Sequence, residues 1–237
     1  MHPTVKAARI AGAIYASMVV TGPFSLIYVP NKLIVRGDAA ATADNILAHE
    51  TMFRLSIFAD LVGQVIFICL AIALYRLLSS VNKIWAALMV ALVLVSAAVG
   101  FLNTLNNIGA LTLFHGADFL AVFDKPQRDA LGMLFVRLHS QGIFIDEMFW
   151  GLWLFPFAVL IIRSGFIPKI FGVLLIINGC AYIIASATAM LLPAYSATVN
   201  SWMMIPETGE LWIMLWLIVK GISVRPIPIV QPSGAMA

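Results

Sequence analysis

Asp146 and Glu147 stand side by side in a stretch, residues 143–156, that is otherwise almost entirely apolar and aromatic. A charge placed in hydrocarbon has to be paired, neutralised or put to use, so these carboxylates are the first candidates for chemistry. Two carboxyl groups in unlike environments can donate and accept a proton in turn, and either can bind a cation. Adjacent helical positions point about 100° apart, so one of the two at most is expected to face a given site. Asp60 and Glu210 raise the same question in other apolar runs. Arg54, Arg137 and His139 supply positive charge or a titratable ring, and Asn103 and Asn107 supply amides able to orient a ligand.

Several better-defined chemistries are absent. His49-Glu50-Thr51-Met52-Phe53 begins like the helical zinc motif His-Glu-x-x-His but lacks its second histidine. His49, His115 and His139 are far apart in sequence, without the close pair expected of a membrane zinc hydrolase. No Gly-x-Ser-x-Gly nucleophile elbow and no phosphate-cradling glycine loop occurs. Cys69 and Cys180 lie in apolar runs and form no Cys-x-x-Cys pair. No metal and no cofactor is expected, and no residue is assigned a catalytic role. The net charge of +3 comes without a dense Lys/Arg run, so nucleic acid is not an expected partner.

The elements that must position these residues are helices in a bilayer. Of 237 residues, 62% are hydrophobic and 11% charged, against about 45–50% and about 25% in soluble domains. Crossing about 30 Å of hydrocarbon takes about 20 mostly apolar residues. Six runs qualify, at residues 10–29, 53–78, 84–107, 142–162, 167–192 and 206–224. The expected fold is therefore all-α, a polytopic six-helix membrane bundle over residues 1–224. The Pro-containing segment 225–237 is expected to be a short flexible tail. The first run follows Lys6 and Arg9 like a signal sequence, but its length and the lack of a cleavage site predict a retained helix. Gly22-Pro23, Pro156 and Pro206 are sites where helices are expected to kink or break.

Charge assigns the sides. Lys6, Arg9, Arg76, Lys83, Arg163, Lys169, Lys220 and Arg225 are eight of the fourteen basic residues, and they gather at the termini and the short second and fourth connections. None of the eleven acids joins them. By the positive-inside tendency that side is cytoplasmic, with both termini, and function is expected on the outer side.

Helical spacing sorts the intramembrane polar residues into stripes. Ser56, Asp60 and Gln64 align on the second helix, Ser96, Gly100, Asn103 and Asn107 on the third, and His139, Asp146, Trp150, Trp153 and Phe157 on the fourth. Such stripes are expected to face one another, forming an outer-leaflet cluster that takes in Arg54, Arg137 and Glu210. Glu147, sixteen residues from Arg163, lies roughly 24 Å from the inner side, and Glu210, ten from Lys220, roughly 15 Å. Arg54-Leu55 with Ile57-Phe58-Ala59-Asp60 is echoed by Arg137-Leu138 with Ile143-Phe144-Ile145-Asp146. The echo raises a parallel repeat of helices two and three as four and five.

Three stretches carry a resemblance to a known family. These are His49-Glu50-Thr51-Met52-Phe53-Arg54, Ser164-Gly165-Phe166-Ile167-Pro168-Lys169, and Glu210-Leu211 followed by Leu215-Trp216-Leu217-Ile218-Val219-Lys220-Gly221. In them the chain resembles the bacterial membrane-protein family catalogued as domain of unknown function 4386, over almost its whole length. The resemblance implies a bacterial plasma-membrane protein with this helix count and no particular reaction, and it draws attention to Glu50, Arg54 and Glu210. The reading that follows is an outer-facing intramembrane pocket for a small or lipidic ligand. The alternatives are an enzyme using paired carboxylates on a lipid-like substrate, a small proton- or cation-coupled transporter, and a structural or partner-binding subunit. The last would show a lipid-facing seam of small residues such as Ala86, Ala97 and Gly100. The expected partners are the lipid bilayer and a small-molecule or lipid ligand, and the oligomeric state is open.

Overall fold

The computed structural model describes residues 4–222. Every regular element among them is helical: α1 (Val5–Leu33), α2 (Ala39–Ala48), α3 (Glu50–Leu78), α4 (Lys83–His115), α5 (Lys125–Ser164), α6 (Lys169–Leu191), α7 (Ser196–Met203) and α8 (Gly209–Val219). Five helices are long and apolar enough to cross a membrane, and six spans result if the bent pair around α7 and α8 is counted as one. The protein is a polytopic all-α membrane bundle.

Consecutive spans pack side by side, α1 on α3, α3 on α4, α4 on α5, α5 on α6 and α6 on α8, and α8 closes the ring against α1. At the basic end Arg9 Nη2 donates to the carbonyl oxygen of Val219 at 3.2 Å. The expected boundaries change in four places. The first helix runs from Val5 to Leu33 through a π-helical turn, Phe24–Tyr28, directly after Pro23. Proline removes one backbone donor, and the wider turn absorbs the lost register. The third helix continues to His115 and the fourth begins at Lys125 rather than residue 142. Hydropathy marks where hydrocarbon ends, whereas the helix is set by its caps: Asp124 and Gln127 form a capping box, and Pro126 occupies the first turn. At 40 residues α5 is about 60 Å long, so its first turns stand beyond the bilayer, where they pack on α2. In place of the expected continuous sixth helix there is a helix pair bent by 49° between α7 and α8, with Pro206 opening a short 3-10 turn, Pro206–Thr208. Val224, the expected end of that span, and the tail 225–237 lie outside the described residues.

Two apolar cores divide the bundle. The one nearer the basic ends of the helices gathers Tyr15, Phe67, Leu74, Trp153, Phe157, Leu160 and Leu217. The one at the opposite end gathers Leu33, Ile46, Phe53, Phe114, Met133 and Val136. On α1, α3, α4 and α5 the residues between the two cores include Ser25, Asp60, Gln64, Asn103, Asn107 and His139, so a polar layer lies between them. Ala86, Ala97 and Gly100 are buried within the bundle rather than in the lipid-facing seam that a partner-binding subunit would show: they let α4 approach its own neighbours.

Candidate functional site

The polar layer is built by close helix approach. Gly100 faces Gln64 of α3, and Gly142 faces Asn103 of α4, each so closely that a Cβ would fall on the opposing amide. Asn103 Nδ2 donates to the carbonyl oxygen of His139 at 2.9 Å, and His139 Nδ1 lies 3.2 Å from the carbonyl oxygen of Asn103. Asn106 Nδ2 donates to Asn103 Oδ1 at 3.0 Å. With Nδ1 as the donor, Nε2 of His139 is turned towards Asp60, whose Oδ2 is 3.8 Å away. Both side chains are shielded, 13% and 12% exposed, so the two groups face each other largely out of water.

Three cavities run through this region in series. The outermost, ≈ 380 Å³, lies between the end of α1 and α5 and is lined by Asn31, Arg36, Arg137 and Ser140 among others. It shares Pro30, Ile34, Val136 and Ser140 with a second cavity of ≈ 80 Å³, which Ser56, Asn107 and His139 also line. The second shares Ser25 and Leu26 with a third of ≈ 90 Å³, which reaches Asp60, Gln64 and Trp150. The π-helical turn carries both shared residues, Ser25 and Leu26. Spaces of this size hold a few waters or a small polar group, and the outermost falls within the range of ligand pockets.

The sequence candidates divide between this route and other places. Asp60, Asn107, Arg137 and His139 line it, and Asn103 holds His139 in position. Arg54 and Glu50 are elsewhere: Arg54 Nε meets Glu50 Oε1 at 2.5 Å on the exposed start of α3, with His115 Nε2 3.2 Å from the same oxygen. Asp146 is buried between α4 and α5, where Ser96 Oγ donates to its Oδ1 at 2.5 Å. Glu210 lies beyond the aromatic centre, taking hydrogen bonds from the Tyr15 hydroxyl and from Asn178 Nδ2, the latter at 2.9 Å. Glu147 has Oε2 buried without a partner. The single outer cluster expected from the stripes is thus resolved into the Asp60 and His139 route, the Ser96 and Asp146 contact, and the Glu210 group. The opposing stripes on α3, α4 and α5 do meet, through Gln64 at Gly100, Asn103 at His139 and Ser96 at Asp146.

Sequence reading missed Arg36, Ser25, Tyr15 and Asn178. Ser25 carried a signal, standing two residues after Gly22-Pro23 where a break exposes backbone. Arg36 lies beyond the apolar window, next to Gly37 and Asp38, and looked like any loop cation. Among the described residues no three His, Cys, Asp or Glu converge closely enough to hold a metal ion. The two parallel helices of the sequence echo differ in what their acids meet, since Asp60 faces a cavity and Asp146 a serine.

No curated protein and no solved structure matches the chain. The model of the family described as domain of unknown function (DUF4386) matches residues 10–221, so this membrane bundle, with its polar layer, belongs to that family.

Proposed function

We propose that the protein binds a small or lipidic ligand in an outer-facing intramembrane cleft formed by α1, α3 and α5. The observation that carries this reading is the succession of cavities from Arg36 and Arg137, past His139 and Asn107, to Asp60 and Gln64. Polar side chains at membrane depth are costly, and lining a reachable cavity gives them a use that simple packing does not. Arg137 supplies charge at the mouth. His139 and Asp60 supply a proton donor and acceptor, or a dipole, at the inner end, and Asn107 supplies orienting hydrogen bonds. The concentration of basic residues at the ends of α3 and α5, the starts of α4 and α6, and Lys220 supports a cytoplasmic position for both termini in a bacterial plasma membrane.

The test is native mass spectrometry of the protein extracted from its own membranes in mild detergent. A retained species is expected on the unsubstituted protein and absent from Ser140→Trp, because Ser140 lines both the outer and the middle cavity and an indole there closes the passage. A protein that carries nothing, or a species that Ser140→Trp keeps, sinks the reading.

A further inference from the structure

The outer side of the molecule offers six cations: Lys32, Arg36, Arg54, Lys125, Arg128 and Arg137. Four are engaged. Arg54 pairs with Glu50, and Lys125 bridges Asp44 at 3.2 Å and Asp129 at 2.7 Å. Arg128 donates to the carbonyl oxygen of Phe123 at 2.7 Å, and Lys32 lies over the ring of Tyr28. Arg36 and Arg137 enter none of the ion pairs or hydrogen bonds of the described residues, yet they line the same cavity from two different elements. No acid lines that cavity.

Its remaining wall is mixed in a way that matters. Asn31 and Ser140 add hydrogen-bonding groups beside the two guanidinium groups, while Pro30, Ile34, Met133 and Val136 make an apolar side. Leu134 and Leu138 flank Arg137 on the exposed face of α5. The neighbouring wall of the ring is short. α8 has 11 residues, about 16 Å, so on the basic side it closes the gap between α6 and α1, and α7 packs on α6 without comparable contact to α1. The outer half between α1 and α5 is left facing the lipid.

We infer that Arg36 and Arg137 seat the anionic headgroup, phosphate or carboxylate, of a lipid-type amphiphile that enters sideways from the outer leaflet, its chain lying against Ile34, Met133 and the exposed leucines. Guanidinium groups bind such oxygens bidentately and stay charged at any physiological pH. The inference rests on the ligand-binding reading above and narrows it to one ligand class and one route.

The experiment uses the full chain in nanodiscs of phosphatidylcholine doped with phosphatidylglycerol, ejected into the mass spectrometer to count the lipids that stay bound. Selective retention of phosphatidylglycerol is expected. Each guanidinium near a membrane surface contributes about 1 kcal/mol to an anionic lipid, so Arg36→Gln with Arg137→Gln should weaken retention by about thirtyfold. Arg54→Gln, which removes one charge rather than two from a cation already paired with Glu50, should leave it unchanged. Equal loss from Arg54→Gln would mean a general surface field and overturns the site. Retention of phosphatidylcholine as strongly as phosphatidylglycerol, blocked by Ser140→Trp, overturns the anion seat while the cleft reading stands. Displacement of phosphatidylglycerol by inorganic phosphate at equal concentration overturns the lipid as source. No retained lipid of either kind overturns the inference, and the species carried from native membranes then decides the cleft reading separately.

Discussion

Asn103 and His139 hold each other across α4 and α5 at two points, each side chain reaching the other residue's backbone carbonyl, at 2.9 and 3.2 Å. The exchange fixes the imidazole ring and aims its second nitrogen at Asp60. It is possible only because Gly142, one turn beyond His139, leaves the space that the Asn103 amide occupies.

Gly142→Ala should therefore be destabilising even though alanine is the better helix former by about 1 kcal/mol. The added methyl group falls on Asn103, so the helices must part or the amide must leave His139, at a cost of about 1–3 kcal/mol. Gly22→Ala is the control, since nothing lies within 4 Å of a Cβ there. Thermal unfolding in detergent should show a lower midpoint for Gly142→Ala and no loss for Gly22→Ala. Equal midpoints would mean that the close approach at Gly142 is not what holds the pair.

Ser96 and Asp146 make a different kind of contact, buried and away from the cavities. Asp146→Asn keeps the shape and a hydrogen bond to Ser96 while removing a charge, so stability should change by less than about 1 kcal/mol and ligand retention should persist. Ser96→Ala removes the donor from a buried carboxylate and should cost about 1–3 kcal/mol. If Asp146→Asn abolishes retention of the native ligand with the fold intact, Asp146 belongs to the site after all.

The two glutamates beside the last span should respond in opposite directions to the same substitution. Glu210 accepts from Tyr15 and Asn178, and Glu210→Gln breaks an arrangement in which both donors depend on carboxylate oxygens. Glu147 keeps a buried oxygen with no partner, so Glu147→Gln replaces an unpaired ionisable carboxyl by a neutral amide that is less costly to desolvate. Unfolding in denaturant should find Glu147→Gln more stable than the unsubstituted protein by about 1 kcal/mol and Glu210→Gln less stable by a similar amount. A Glu147→Gln protein that unfolds earlier would show that its carboxylate has a partner.

What the sequence made legible follows from how each feature is encoded. The stripes Ser56-Asp60-Gln64, Ser96-Gly100-Asn103-Asn107 and His139-Asp146-Trp150 are set by helical period alone, and the three helices do turn these faces to one another. Which partner each residue meets depends on helix rotation and depth, and there the spacing was silent: Asp60 and Asp146 look alike in sequence and end in a cavity and against a serine. Glu210 was grouped with the outer cluster although its count from Lys220 set it deeper than Glu147, and it meets Tyr15 and Asn178 rather than Asp60. Arg54 was drawn towards the site by proximity along the chain, but α3 turns it outward to Glu50. Arg36 was invisible because an exposed cation after a helix acquires meaning only from the cavity opposite it.

The series of cavities also predicts how far water reaches. A thiol reacts as its thiolate, which forms where water and ions penetrate and not in hydrocarbon. Ser140→Cys lines the outer cavity, Ser56→Cys the middle one and Gln64→Cys the innermost. The native Cys69 and Cys180 are free and exposed on membrane-spanning helices, so they face lipid and should stay unmodified. A charged, membrane-impermeant thiol reagent added to intact cells should label Ser140→Cys fastest, Ser56→Cys more slowly and Gln64→Cys least, with occupancy of the cleft slowing all three. The order matters more than the absolute rates, because it tests whether the inner positions are reached through the outer one. Labelling only in inverted vesicles would place the mouth on the cytoplasmic side and reverse the topology read from the basic residues, while equal rates at all three positions would mean an open channel rather than a cleft that narrows towards Asp60.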